Sequence, residues 1–309
     1  MNYFQRAKFN IVQFTGNLAA QATGIGYLAR LAHADMKEAL NQIDTVKAVK
    51  TLNGHSHNAE AAQRVYNDLD IHAKLLFFCG PKIAAKISDF KDKDGHTLVQ
   101  DQGDHITVWQ SGAKKEEELQ KILVAIDPDK KTQICATYDI ANKDLVVHFG
   151  GTDFSNSKDL AFATTSLTGA LNPRSSDGAV YAQKIMTSFS AQHPDTKPED
   201  VNLSIVAHSS GAASTPAAIM AFAEQGFAAN KVFLLDPCGG KAAYDATSAL
   251  TGIDPALLSQ NTTTIRPQKK GLLEHFKQAT ASIGTDERHD IGGHMGRHFV
   301  QAFHNKKFE

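Results

Sequence analysis

Cysteine is scarce in this chain, and Cys79, Cys135 and Cys238 stand too far apart to make a C-x-x-C pair. That spacing argues against a disulfide framework and a cysteine-built zinc site, and leaves reduced thiols as the expected state. An excess of one charge is also missing, since 32 lysines and arginines face 33 aspartates and glutamates. A chain this neutral, with no helix that reads as a basic face, has no electrostatic footprint for nucleic acid. No apolar run reaches membrane-spanning length, and the stretch from Met1 to Arg6 lacks the charged region, apolar core and cleavage site of a secretory leader. A soluble protein made in the cytoplasm is expected, with export by a signal-independent route left open. Internal repeats and low-complexity tracts are absent, and no motif calls for a cofactor.

What is present is length and an alternation of patterns. With 309 residues, 42% of them hydrophobic and 21% charged, the chain can bury a sizeable core. From Tyr3 to about Phe90 the pattern is helical: Leu28, Leu31, Ala32, Ala39, Leu40 and Ile43 recur at helical steps, and a second helix is expected from Glu60 to Leu76. The loop between them is Asn53 to Asn58, and Gly80-Pro81 precedes a short helix at Lys82 to Phe90. Residues 1–95 therefore read as a helical extension or cap packed on a core of residues 96–309, the whole forming one unit.

Beyond the cap, the segments His96 to Gln100 and His105 to Gln110 alternate between turn clusters and predict a hairpin. A charged helix is expected from Lys114 to Ile126, then strands at Thr132 to Tyr138 and Asp144 to Phe149. Helix and strand then alternate: helix Gly178 to Gln192, strand Leu203 to Val206, helix Ser210 to Gln225, strand Lys231 to Leu235, strand Thr262 to Ile265, helix Leu272 to Ser282 and a terminal helix from Gly293. Strands alternating with helices of this length predict an α/β fold with a mostly parallel sheet and helices on both faces.

The sharpest local signal is the apolar run Leu203 to Ala207, which breaks at His208-Ser209-Ser210-Gly211 and continues as an alanine-rich helix. A serine hydroxyl attacks a carbonyl only when it is exposed, close to a base and beside N–H groups that hold an oxyanion. A tight strand-to-helix turn supplies that exposure, and its crowding demands small residues two before and two after the serine, here Ala207 and Gly211. The bland alternative is a serine-rich turn between a buried strand and a helix.

Active-site groups of open parallel sheets gather beyond the carboxyl ends of the strands. Three other segments qualify. Val146 to Asp153 carries Gly150-Gly151-Thr152, whose glycines let the backbone present N–H groups to an oxyanion. Val232 to Pro237 ends in Asp236, placed to orient a histidine. Arg288 to Phe299 offers the base: His294 follows Gly292-Gly293, with His289 as its nearest rival. His294 and His298, four apart, would also suit a metal ion, but Met295 stands where a metalloprotease helix has its glutamate.

With these residues in place, Thr132 to Phe299 resembles lipases of the α/β-hydrolase fold, the class 3 group above all. Phe149-Gly150-Gly151-Thr152-Asp153 is similar to that group's F-R-G-T-D loop, with Gly150 where arginine is usual. Ala207-His208-Ser209-Ser210-Gly211 is similar to its G-H-S-L-G elbow, and His294 to Phe299 to its terminal histidine segment. Leu234-Leu235-Asp236-Pro237 instead resembles the G-L-D-P segment of pancreatic-type lipases, which places the acid one strand earlier.

The expectation is a serine hydrolase of carboxylic esters with Ser209, His294 and Asp236 as its triad and the N–H groups of Thr152 and Ser210 as its oxyanion hole. Gly151, Ala207 and Gly211 support the turn. The resemblance implies an acyl lipid as substrate, phospholipids included, and peripheral contact with a membrane surface. Small esters and thioesters stay open. Leu160 to Leu167 and the helical cap are the candidate lids. Two other readings stand beside this one: a catalytically silent scaffold whose helical third binds a protein partner, and a histidine-ligated metallohydrolase.

Overall fold

The computed structural model describes residues 18–78, 99–101, 106–108, 121–126, 134–152, 157–268 and 281–291. Four helices come first: α1 (Leu18–Asn41), α2 (Thr45–Gly54), α3 (Ala59–Asn67) and α4 (Leu69–Phe78). α1 buries Ala32, Met36 and Leu40, one stripe at four-residue spacing. Asp44 and Asn58 cap α2 and α3 by accepting the N–H groups of Lys47 and Ala61. The loop expected at Asn53 to Asn58 is confined to His55 to Asn58, because Asn53 and Gly54 end α2, and it is tied to the sheet, since the Asn230 side chain accepts the Asn58 N–H at 2.6 Å.

A short hairpin follows, β1 (Val99–Asp101) and β2 (Ile106–Val108), antiparallel with Val99 opposite Val108. The main sheet then has seven strands lying side by side in chain order. These are β3 (Lys121–Ile126), β4 (Ile134–Asp139), β5 (Asp144–Phe149), β6 (Asn202–His208), β7 (Ala229–Leu235), β8 (Thr262–Pro267) and β9 (Thr285–His289). β3, β4 and β5 pair antiparallel, and β5 to β9 run parallel. Between them lie α5 (Ser157–Leu167), α6 (Asp177–Gln192), α7 (Thr215–Glu224), α8 (Gly240–Thr251) and α9 (Pro255–Ser259).

The order of the strands explains the role of the amino-terminal helices. Parallel strands added one after another in a single direction, with crossovers of one hand, put every connecting helix on the same face. Leu145, Val147 and Phe149 of β5 accordingly join one core with Ala182 and Phe189 of α6 and with the apolar residues of α7 and α8. The alternate residues, Val146, Val206, Phe233, Leu235 and Ile265, point to the other face. There they meet Val65 of α3 and Leu69, Ala73 and Leu76 of α4. An Arg64 fork on Asp144, at 2.7 and 2.8 Å, and a 2.9 Å hydrogen bond between the buried His72 and His148 rings join these helices to β5.

One expected element is corrected. Lys121 to Ile126 is a strand, not the end of a helix running from Lys114. The charges before it suggested a helix, but Lys-Ile-Leu-Val-Ala-Ile is a β-branched apolar run, and it pairs along β4 with a break in register between Leu123 and Ala125. α8, α9 and β9 were not anticipated. The expected helices at Lys82 to Phe90 and from Gly293 lie outside the described residues, as does all of Leu272 to Ser282 except its last two residues, which are irregular. Among the described residues, no helix is long and apolar enough to cross a membrane.

Candidate functional site

β6 ends at His208, and the chain turns on Ser209 with φ at +51°. Only Lys143 and Asp236 share a positive φ among the described non-glycine residues. That backbone is strained for a residue with a Cβ and persists only when its surroundings over-determine it. Here the surroundings are the loop after β5. A Cβ on Gly211 would lie 2.3 Å from the Phe149 carbonyl oxygen and 2.5 Å from that of Gly150, so elbow and loop pack backbone to backbone. A Cβ on Gly151 would come within 2.8 Å of His208 Nδ1 and 3.2 Å of Ser209 Cβ. Ala207 is fully buried in the sheet.

The turn does not enter an α-helix directly. Ser209 to Ser214 forms a 3-10 segment, and α7 begins at Thr215 with Pro216 in its first turn. The single helix expected from Ser210 is therefore two pieces. The tighter first piece keeps small residues close to α8, where a Cβ on Gly240 would approach Ala212 Cβ to 3.2 Å. A sheet with five adjacent parallel strands, helices on both faces and this strand-to-helix elbow is the α/β-hydrolase fold.

Beneath the loop after β5 sits Arg174, a residue with no expected role. It is 1% exposed and lies in a one-turn segment, Pro173–Ser175. Its Nη1 donates to Ser210 Oγ at 2.9 Å and to the Gly151 carbonyl at 3.3 Å, and its Nη2 to the Gly150 carbonyl at 3.2 Å. Ser210 Oγ in turn lies 2.8 Å from Thr152 Oγ1. Arg174 is itself held at its backbone, its N–H by Asn172 Oδ1 at 2.8 Å and its carbonyl by the Ser214 hydroxyl at 2.7 Å. Nothing in Asn-Pro-Arg-Ser-Ser marks the arginine as buried; its signal is spatial.

On the adjacent strand, Leu235 pairs with His208, so Asp236 and Ser209 leave neighbouring strand ends together. Asp236 has φ at +43°, its N–H donates to the Ile265 carbonyl at 2.8 Å, and the Cys238 N–H donates to the Ser209 carbonyl at 2.9 Å. Arg266, on β8, approaches the Asp236 carboxylate to 3.7 Å and Asp286 to 3.3 Å. The sequence held a weak sign of it, a lone cation in a strand of threonines and isoleucine. Burial pushes the Cys238 thiol up to about 12, so this neighbour of the site stays protonated and does not compete as a nucleophile.

Ser209, Ser210, Gly211, Gly151, Thr152 and Asp236 thus converge at the carboxyl ends of three adjacent strands. His289 closes β9, three strands from Ser209, a span of about 14 Å at ordinary strand spacing. Its Nε2 faces Glu287 at 3.2 Å. His294 and the His294–His298 pair lie outside the described residues. Among the described residues, no group of three or more histidine, cysteine or acidic side chains could hold a metal ion. The Leu160 to Leu167 segment falls in α5, whose end is anchored: Asn172 Nδ2 donates to Ser166 Oγ at 2.7 Å, and Thr165 and Ser166 are fully buried.

No family model and no curated protein matches the chain. Among solved structures, a triacylglycerol lipase from Penicillium expansum aligns with 18% identity over 67% of this chain and 77% of its own, with a TM-score of 0.33. A mutant form of MDLA from Penicillium cyclopium aligns with 15% identity over 72% of this chain and 79% of its own, with a TM-score of 0.37. At these values the likeness carries no argument about activity, and the reading of the site rests on its own geometry.

Proposed function

We propose that the chain is a serine hydrolase of carboxylic esters, with acyl lipids as its substrate class. The observation that carries the reading is the left-handed backbone at Ser209, held at a parallel strand end by an interlocked glycine loop. Strain of this kind costs about 1–3 kcal/mol and clusters at functional sites, where it presents a side chain. Ser209 Oγ attacks the ester carbonyl while His294 takes its proton, and the oxyanion is held by the Thr152 and Ser210 N–H groups. The tetrahedral intermediate collapses, His294 protonates the departing alcohol, and an acyl-Ser209 ester remains. Water, deprotonated by His294, then releases the acid and restores the serine. Asp236 holds His294 in the tautomer this requires, and Arg266 supplies the countercharge that fixes the carboxylate.

The lipid assignment rests on the resemblance of the Phe149-to-Asp153 and Ala207-to-Gly211 motifs to class 3 lipases. Fluorophosphonate labelling tests the chemistry: the folded protein is expected to take up one phosphonyl group, and Ser209→Ala to take up none. An unlabelled wild type would leave the silent-scaffold reading in place. Turnover across p-nitrophenyl esters, a thioester and phospholipid vesicles then fixes the substrate class.

A further inference from the structure

We propose that Arg174 is a positioning residue that sets the direction of a hydroxyl chain, so that the Thr152 hydroxyl proton is left pointing into the site as a further oxyanion donor. The consequence for catalysis rests on the reading of Ser209 as nucleophile; the direction of the chain does not.

The argument is one of donors and acceptors. A guanidinium has only donors, so Ser210 Oγ must accept at its 2.9 Å contact with Arg174. Ser210 is 1% exposed, and its hydroxyl carries one proton of its own. The acceptor in reach is Thr152 Oγ1, 2.8 Å away. If Thr152 donated instead, the buried Ser210 proton would have no acceptor among the described residues, an arrangement native proteins avoid. Arg174 therefore donates to Ser210 and Ser210 to Thr152. Thr152 is only partly buried, and its own proton is directed away from Ser210. The same guanidinium grips the Gly150 and Gly151 carbonyls, so one buried cation fixes both the path of the loop and the polarity of its hydroxyls.

Two measurements decide it. Neutron diffraction from deuterium-exchanged crystals is expected to show the Ser210 deuteron on the line to Thr152 Oγ1 and the Thr152 deuteron turned away. A Thr152 deuteron on the line to Ser210 overturns the proposal, whether or not the protein is an enzyme. The second is the rate of fluorophosphonate uptake. Arg174→Gln, whose amide can accept as well as donate, is expected to slow it on the order of 100-fold, as loss of one oxyanion donor does. In a Thr152→Val background, the same change should cost little more. Equal losses in both backgrounds would mean that Arg174 only holds the fold together, and would sink the idea. Should Arg174→Gln not fold, Ser210→Ala breaks the same chain while keeping the backbone donor, and its effect should likewise vanish in the Thr152→Val background. An unlabelled wild type with the expected deuteron positions would end the hydrolase reading and leave this one standing.

Discussion

The strand ends that carry Ser209 and Asp236 are neighbours, and both turn on a residue with left-handed backbone beside a buried arginine. They are held by different forces. At the Ser209 end the described contacts are close packing of Gly211 and Gly151 and hydrogen bonds from Arg174 to two carbonyls and a hydroxyl. At the Asp236 end, Arg266 meets two carboxylates. One end is fixed by close packing and hydrogen bonds to neutral groups, the other by ion pairing. The first should be intolerant of added volume, the second of a lost charge.

The largest effect is expected at the ionic end. Asp236→Ala leaves Arg266, 1% exposed, with Asp286 as its remaining carboxylate among the described residues, and removal of one partner of a buried pair costs about 3–5 kcal/mol. Asp236→Asn keeps a side chain that tolerates positive φ and should unfold at higher urea than Asp236→Ala. Under the proposed triad both should lose turnover on the order of 10⁴-fold, because a triad histidine without its acid takes the wrong tautomer. Equal stability of Asp236→Ala and wild type in urea would show that Arg266 does not depend on this carboxylate.

The complementary perturbation belongs to the packed end. Gly211→Ala places a methyl against backbone oxygens that have no rotamer to escape into. Overpacking of this kind costs about 1–3 kcal/mol, and the shift of the loop after β5 should lower kcat by at least 10-fold. A fully active and stable Gly211→Ala protein would contradict the interlocked geometry.

How much of this was legible beforehand follows the same division. Shape signals were readable, because small residues at Gly151, Ala207 and Gly211 are local requirements of a turn and a close approach. Much of the strand–helix alternation from Asp144 onward was readable for a similar reason, since a long element advertises its own period, whereas α8, α9 and β9 were not. Charge partners were not. Arg174 and Arg266 each sit far in sequence from the groups they hold; nothing around Arg174 distinguishes a buried cation from a surface one, and the strand around Arg266 is only a weak sign. The role of the amino-terminal helices was half legible: their apolar stripes were visible, but only the sequential strand order shows that α3 and α4 cover a face no described crossover helix reaches.

A smaller effect sharpens the cost of the packed end. Ser209→Gly and Ser209→Ala should both be inactive, but glycine adopts a φ of +51° freely and alanine does not. Ser209→Gly should therefore be more stable than Ser209→Ala by about 1 kcal/mol in urea unfolding. Equal stabilities would show that the elbow stores no strain.

Comparing the two ends across pH requires the contribution of groups remote from both to be removed, and His193 is the clearest. It follows α6 at the end away from Gly178, which packs on Ser214, and its ring lies 4.8 Å from that of Tyr138 and 5.2 Å from that of Phe189. Burial lowers its pKa from the ordinary 6.5, so the folded state favours the neutral ring. The unfolded chain then binds the proton more readily, and the stability His193 contributes is present above pH 6.5 and lost as pH falls through that value toward the lower folded one. His55 is lowered in the same sense by burial and adds to the slope. His193→Phe keeps the aromatic packing and removes the proton. It should change Tm little at pH 8 and flatten part, not all, of the decline as pH falls below 6.5. An unchanged slope in His193→Phe would assign the acid sensitivity to His55 and to the charged strand end.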